Sequence, residues 1–424
     1  MDKYIQDLMA FLDASPTSYQ ASVEISTRLE KAGFRLLNET EAWKLVPGGK
    51  YYVRRAGTAV LAFAIGSGNL SETGCRIAAS HIDSPALRIK PQSLRTEGNV
   101  TKIGVEVYGG PILATWTDRE LGLAGIAVIR KDGKLTPVPV NLKRPLAIIP
   151  NAAIHLNREI NNGFVYNKQI HLQAILSTGD NSDSLKEAVA GVLDIKPEDI
   201  VDMDLFLYDP TPAALAGIDG SLLVSGRLDN LAMTHAILSS LTEVSSPEVT
   251  ALGVFFDHEE IGSETLQGAM SSLLAEVLER VGIGLGLSEE QRYLALRGSF
   301  LISADMAHAF HPAYAEKYDP DYAPKMNQGP VIKINGSQRY ATTASSGARF
   351  ASLCASAGVA CQKFMTRSDM PCGSTVGPLV SSRLGIPAVD IGNPMWAMHS
   401  IRETCGVADH LSLISVLRLY FDQK

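Results

Sequence analysis

The sequence predicts an α/β fold, a mixed sheet covered by helices on both faces, with a β-rich module inserted into it. Short apolar strands alternate with helix-length amphipathic stretches near both ends of the chain. Between about Pro91 and Ser225 that alternation gives way to strands and turns. The length, 424 residues, exceeds what one ordinary core fills, so two domains are expected. The expected division is a discontinuous α/β domain from residues 1–90 and 226–424, and an insert at 91–225.

The elements follow in order. Residues 2–12 read as a short helix. Ser15-Pro16-Thr17-Ser18 is a helix-start cluster, and Ala32-Gly33 a normal stop. Strand-like apolar runs cover 51–54, 59–65 and 76–80. In the insert, Ile103, Val105 and Val107 alternate with Lys102, Gly104 and Glu106, as on a half-buried strand. Residues 126–130 and 135–140 flank Lys131-Asp132-Gly133-Lys134, a hairpin signal. From Asp229 onward helices are expected at 231–242, 264–281, 344–357, 377–384 and 407–421. Strands are expected at 251–256, 300–304 and 388–391. No internal repeat, low-complexity tract or long charge block interrupts the pattern.

Composition narrows the function. Basic residues number 38 and acidic ones 45, a net charge of −7, which does not suit a phosphate backbone. Hydrophobic residues at 46% and charged ones at 20% mark a globular chain rather than a disordered one. The apolar runs fall well short of the roughly 18 residues a membrane helix needs. The first residues carry no apolar signal segment, so a cytoplasmic location is expected. Five cysteines, Cys75, Cys354, Cys361, Cys372 and Cys405, are scattered without a C-x-x-C, which suits free thiols in a reducing compartment. Any metal must then be held by His and carboxylates.

Such residues recur just after strands or at helix starts: His81, Asp229, Glu259-Glu260, Asp305 and His399. In open α/β sheets ligands sit beyond the carboxyl ends of strands, so the topology can bring these groups together. Two His and three carboxylates suit a pair of zinc-like ions that share one bridging carboxylate. A further carboxylate must stay off the ions to take a proton from water, and adjacent Glu259 and Glu260 supply both kinds. Asp83, two residues after His81, can accept the second imidazole N–H and fix the tautomer. Taken singly, each residue has an ordinary reading as a solvated charge, a cap or a turn. His235 and His410 read as structural. His308 and His311 follow Asp305 closely, but nothing selects them. Cys372 lacks a nucleophile signature, and Gly373–Gly377 lacks the Lys of a phosphate loop.

At these residues the sequence resembles the aspartyl aminopeptidase family of dinuclear zinc exopeptidases. The resemblance rests on residues 78–85 around His81 and Asp83, Tyr108-Gly109-Gly110, and 116–119 and 154–158 in the insert. In the C-terminal half it rests on 226–230, 256–263, 303–308, 330–335, 338–341, 371–375 and 397–403. It runs in order over nearly the whole chain. It implies that His81 and Asp305 hold one metal ion, Glu260 and His399 the other, and that Asp229 bridges them. It makes Glu259 the general base and Asp83 the residue that orients His81. It implies an insert that mediates dimerisation, a tetrahedral dodecamer, and a role for His155 in a neighbouring subunit's site, in substrate binding or near a metal. Lys333 and Tyr340 match residues near the side-chain pocket, where an ammonium favours an acidic first residue.

The expected activity is therefore release of N-terminal residues, Asp or Glu foremost, from peptides by metal-activated water. Zinc is the default ion, with cobalt or manganese able to fill the same donors. Two rivals stand beside it: a related carboxypeptidase or deacylase, and a non-enzymatic shell protein with structural metals.

Overall fold

The computed structural model describes residues 2–179, 181 and 184–422. A nine-stranded mixed sheet forms its centre, in the order Arg35–Leu36, Lys50–Arg55, Ala59–Ala64, Thr250–Phe256, Cys75–His81, Phe300–Ala304, Ala388–Gly392, Val331–Ile334 and Gln362–Met365. The middle strands Thr250–Phe256, Cys75–His81, Phe300–Ala304 and Ala388–Gly392 run parallel, so their carboxyl ends share one edge.

Both faces of this sheet are buried, which is why its strands read as continuous apolar runs. Along Ala59–Ala64, Val60 and Ala62 enter one core, while Leu61 and Phe63 enter the other. Thr250–Phe256 divides likewise, Ala251 and Phe255 against Leu252 and Val254. One face is covered by helices Lys3–Ala14, Ser18–Lys31, Leu228–Thr242, Ala344–Ser356 and Val407–Phe421. Leu273–Gly284 and Val376–Leu384 cover the other.

A second, antiparallel sheet holds Ala86–Ile89, Val100–Tyr108, Glu120–Lys131, Lys134–Asn141, Ala147–Ile148, Gln173–Thr178 and Ile200–Tyr208. Ala147–Ile148 pairs with both Gln173–Thr178 and Glu120–Lys131, closing the sheet into a ring around its own core of Leu87, Ile103, Val105, Leu123 and Leu205. The expected hairpin is there. Lys131 pairs with Lys134, and Asp132 (φ 51°) and Gly133 (φ 74°) both take the left-handed conformation that a tight two-residue turn needs. A third sheet joins Ala214–Ala216, Leu222–Ser225, Glu403–Gly406, Pro394–Trp396 and Ala307–His308.

Three expectations differ from the structure. Strand Ala86–Ile89 precedes Pro91 yet pairs within the second sheet. Leu222–Ser225 precedes residue 226 yet pairs with Glu403–Gly406. Pairing partners, not local texture, decide where a strand belongs. The helix expected at 264–281 begins only at Leu273. Before it the chain turns, with the Asp257 N–H bonded to Gln267 O and the Met270 N–H to Ser263 O.

Candidate metal centre

The parallel edge gathers the predicted residues. His81 ends strand Cys75–His81, and Asp305 follows Phe300–Ala304. Asp229 sits in the first turn of Leu228–Thr242 with non-helical φ/ψ, after Arg227 in the left-handed region. The Arg227 guanidinium ties that turn to the carbonyls of Leu12 and Ser15. Glu259 and Glu260 open a short 3₁₀ turn flanked by left-handed His258 and Gly262. His399 also has a positive φ, 68°.

Their side chains converge. His81 Nε2 lies 3.5 Å from Asp229 Oδ1, 3.5 Å from Asp305 Oδ2 and 3.9 Å from Glu259 Oε2. His399 Nε2 lies 3.5 Å from Asp229 Oδ2 and 3.4 Å from Glu260 Oε1. Asp229 thus turns one oxygen to each imidazole. Ligand atoms of His81, Asp229 and Glu260 all lie within 4.8 Å of one another, and so do those of His81, Glu259 and Asp305.

The other nitrogen of each ring is engaged. His81 Nδ1 lies 3.1 Å from the Asp83 carbonyl and 3.3 Å from its Oδ1. His399 Nδ1 lies 3.1 Å from the Gly110 carbonyl. With Nδ1–H donating, each Nε2 is left with a lone pair aimed at the carboxylates, the arrangement a metal-binding imidazole takes. Asp83 does more. Its Oδ1 accepts the Glu259 N–H and its Oδ2 the Glu260 N–H, both at 3.1 Å, and Oδ2 also accepts the Tyr108 hydroxyl at 2.7 Å. Tyr108 and Gly110 come from the second sheet's strand Val100–Tyr108 and the turn after it.

The charges are unbalanced without a cation. Burial pushes Glu259 up to about 8 and Glu260 up to about 7. Burial opposes charge on His399, yet Asp229 and Glu260 raise it to about 11. His81 is likewise raised well above an ordinary imidazole, against burial, by Asp229, Asp305 and Asp83. Asp229 Oδ1 and Glu260 Oε1 are buried with no hydrogen-bond partner among the described residues. Buried carboxylate oxygens are rarely left so. A mixed His and carboxylate set with orphaned oxygens facing imidazole lone pairs fits divalent metal.

The remaining predicted residues divide. Lys333, buried in strand Val331–Ile334, places Nζ 2.6 Å from Asp305 Oδ1 and 5.5 Å from the Tyr340 ring centre. The ammonium therefore already holds one oxygen of a candidate ligand. Tyr340 packs with Ala307, Val331 and Phe364, and Cys372 lies against them. His155 is exposed on the second sheet's long loop and takes part in none of the contacts above. His308 stacks edge-on against Phe364, and the charges of Lys333, Asp229 and Asp305 act on it. His311 caps a 3₁₀ turn instead.

Sequence reasoning missed Glu403. Its carboxylate accepts the N–H of Asp229 at 3.1 Å through Oε2 and that of His399 at 2.7 Å through Oε1. Glu403 stood at the end of the matching stretch 397–403, four residues after His399, but nothing there gave it a role. Tyr108 stood in a motif, but nothing local tied it to Asp83.

Comparison with known proteins places the chain in a family. The family described as "Aminopeptidase I zinc metalloprotease (M18)" matches residues 11–421. The "Probable M18 family aminopeptidase 2" of Clostridium novyi is 44% identical over 99% of each chain. That of Ectopseudomonas mendocina is 43% identical, over 99% of this chain and 98% of its own. Among solved structures, a chain of the Ape4–Nbr1 complex superposes with a TM-score of 0.95 at 37% identity. It covers 99% of this chain and 85% of its own. The S. cerevisiae mApe1 dodecamer gives 0.87 at 26% identity, over 99% and 97%. An α/β fold with these sheets, and a family match spanning nearly every residue, make this chain a metallo-aminopeptidase belonging to the M18 family of zinc metalloproteases.

Proposed function

We propose that the site holds two divalent ions, zinc by default, and releases N-terminal Asp or Glu from peptides. One observation carries the reading: Asp229 presents opposite oxygens to two imidazole lone pairs, beside buried oxygens with no other partner. His81 and Asp305 would hold one ion, His399 and Glu260 the other, with Asp229 between them.

Bound there, the ions would supply Lewis-acid polarisation of the scissile carbonyl and a water acidic enough to react near neutral pH. The chain's own residues do the rest. Glu259, beside His81 and outside the proposed ligand set, takes the water's proton and passes it to the leaving amine. Two nearby cations would oppose the burial that favours its neutral form. Asp83 fixes His81's tautomer and holds the main chain of both glutamates. Lys333 spends one of its three N–H groups on Asp305, leaving two for a substrate carboxylate.

Assembly belongs to the same reading. The loop carrying His155 exposes Ile154, Leu156, Val165 and Ile170. Such a cluster suits contact with a second copy, and mApe1 is a dodecamer. We read the second sheet as the module that dimerises, and His155 as reaching a partner's site. The free cysteines suit a cytoplasmic setting. Among the described residues no helix is long and apolar enough to cross a membrane.

The test is hydrolysis of peptides beginning with Asp, Glu, Leu or Lys, with chelator and with added zinc or cobalt. Chelator-sensitive release of Asp and Glu is expected. Faster release of Leu or Lys would overturn the acidic preference alone, and no release from any peptide would overturn the activity.

A further inference from the structure

The metal centre's two halves come from distant parts of the chain, and one buried side chain joins them. Asp229 opens a helix after strand Leu222–Ser225, and His399 lies in the turn between Pro394–Trp396 and Glu403–Gly406. Glu403, 1% exposed, sits between these segments, its Cα paired with Ser225 in the third sheet. Its Oε2 accepts the Asp229 N–H and its Oε1 the His399 N–H.

We propose that Glu403 is a positioning residue that sets the spacing of the Asp229 and His399 main chains, and so preforms the second metal position. The proposal rests on the two-ion reading above.

Three features support it. Both N–H groups belong to backbone outside regular helix or sheet: His399 has φ 68°, and Asp229 has non-helical φ/ψ inside a helix turn. The left-handed conformation of His399 persists in a non-glycine residue only where the surroundings fix it. Next, only a carboxylate meets the demand. Two N–H donors need two acceptor oxygens, and an amide of the same shape would set its own NH₂ against one of them. Finally, Glu403 forms no ion pair among the described residues, while neighbouring Arg402 turns away to Asp209 and to the carbonyls of Thr211 and Pro212. A buried carboxylate is costly unless its hydrogen bonds are made, and here those bonds go to two candidate ligands.

Glu403→Gln and Glu403→Asp test it, each against the wild-type enzyme stripped and titrated with cobalt. The wild type should take up two ions per chain. Failure there would sink the two-ion reading, not Glu403. In the variants the ion held by His399 and Glu260 should weaken by about 10–100-fold and its visible cobalt bands change, while the ion at His81 and Asp305, which shares only Asp229, should weaken less. Turnover should fall in kcat with little change in KM. Wild-type affinity and spectrum for both ions in a folded Glu403→Gln chain would overturn the proposal. Hydrogen exchange on the metal-free wild type needs no variant. The Asp229 and His399 amides should stay protected, and exchange as fast as in exposed loops would equally overturn it.

Discussion

Glu259 and Lys333 show how much one atom's surroundings decide. Burial pushes the Glu259 carboxyl up to about 8, which favours its neutral form in the bare chain; in our reading it becomes the base once cations stand beside it. Glu259→Gln keeps the shape and removes the base. We expect kcat to fall by about 10²–10⁴-fold with metal content unchanged, checked by turnover and metal analysis on one sample. Lys333 contacts Asp305, and in our reading also serves the substrate. Lys333→Met should lower kcat/KM for an Asp peptide about tenfold more than for a Leu peptide, the worth of a charge-assisted hydrogen bond. Equal losses would mean that it acts through Asp305 alone. The contact itself was not legible in the sequence. Without the family resemblance Lys333 reads as an ordinary strand lysine, and its partner lies 28 positions away.

At the scale of elements, parallel strands deliver the site. Gly392 ends strand Ala388–Gly392, where a methyl group would sit 1.8 Å from the Asp305 carbonyl oxygen. The Asp305 N–H bonds to Ile391 O in the same place. Gly392→Ala should therefore displace Asp305, costing about 1–3 kcal/mol of stability and weakening metal uptake, as melting and cobalt titration would show. Placement at strand ends is what made His81, Asp229, Glu259, Glu260, Asp305 and His399 legible. Apolar runs mark the strands, and the first polar residue after each marks the edge. Glu403 and Tyr108 escaped because their roles are contacts across 174 and 25 positions, which no local pattern carries. The over-long helix at 264–281 came from reading apolar content as periodicity through the turns before Leu273.

Across the whole molecule, both chain ends meet at a buried histidine pair. Asp7, in the first helix, lies 3.0 Å from His235 Nε2, and His235 Nδ1 lies 2.9 Å from His410 Nε2 in the last helix. His410 Nδ1 is buried with no partner among the described residues, which suits a ring that carries its proton on Nε2 and donates it to His235. Burial lowers both imidazoles, while the hydrogen bond from His235, aided by Arg28, pulls Asp7 down to about 2. The unfolded chain then binds protons below about pH 6.5 that the native histidines refuse. Their contribution is full above that pH and falls as the pH drops. Asp7 keeps its contribution until the pH falls below the ordinary carboxylate range toward 2. Melting temperature should thus drop between pH 6.5 and 5, and less steeply in His410→Leu. Assembly has its own check. Mixed oligomers of inactive His155→Ala and Glu259→Gln chains should regain activity if His155 serves a partner's site, and none if it serves its own chain.

The turn at Tyr108–Gly110 has a consequence for how such a chain can diversify. It belongs to the second sheet, yet its hydroxyl and carbonyl hold Asp83 and His399. A recombinant that exchanges the whole insert with a relative's therefore also exchanges part of the candidate metal centre. In our reading the insert's outer loops answer to assembly, while its inner turn answers to the metal centre. Pruning residues 86–208 to make a smaller catalyst would remove the phenol and the carbonyl with the barrel, and leave His399 without its Nδ1 acceptor and Asp83, which orients His81, without its phenol donor.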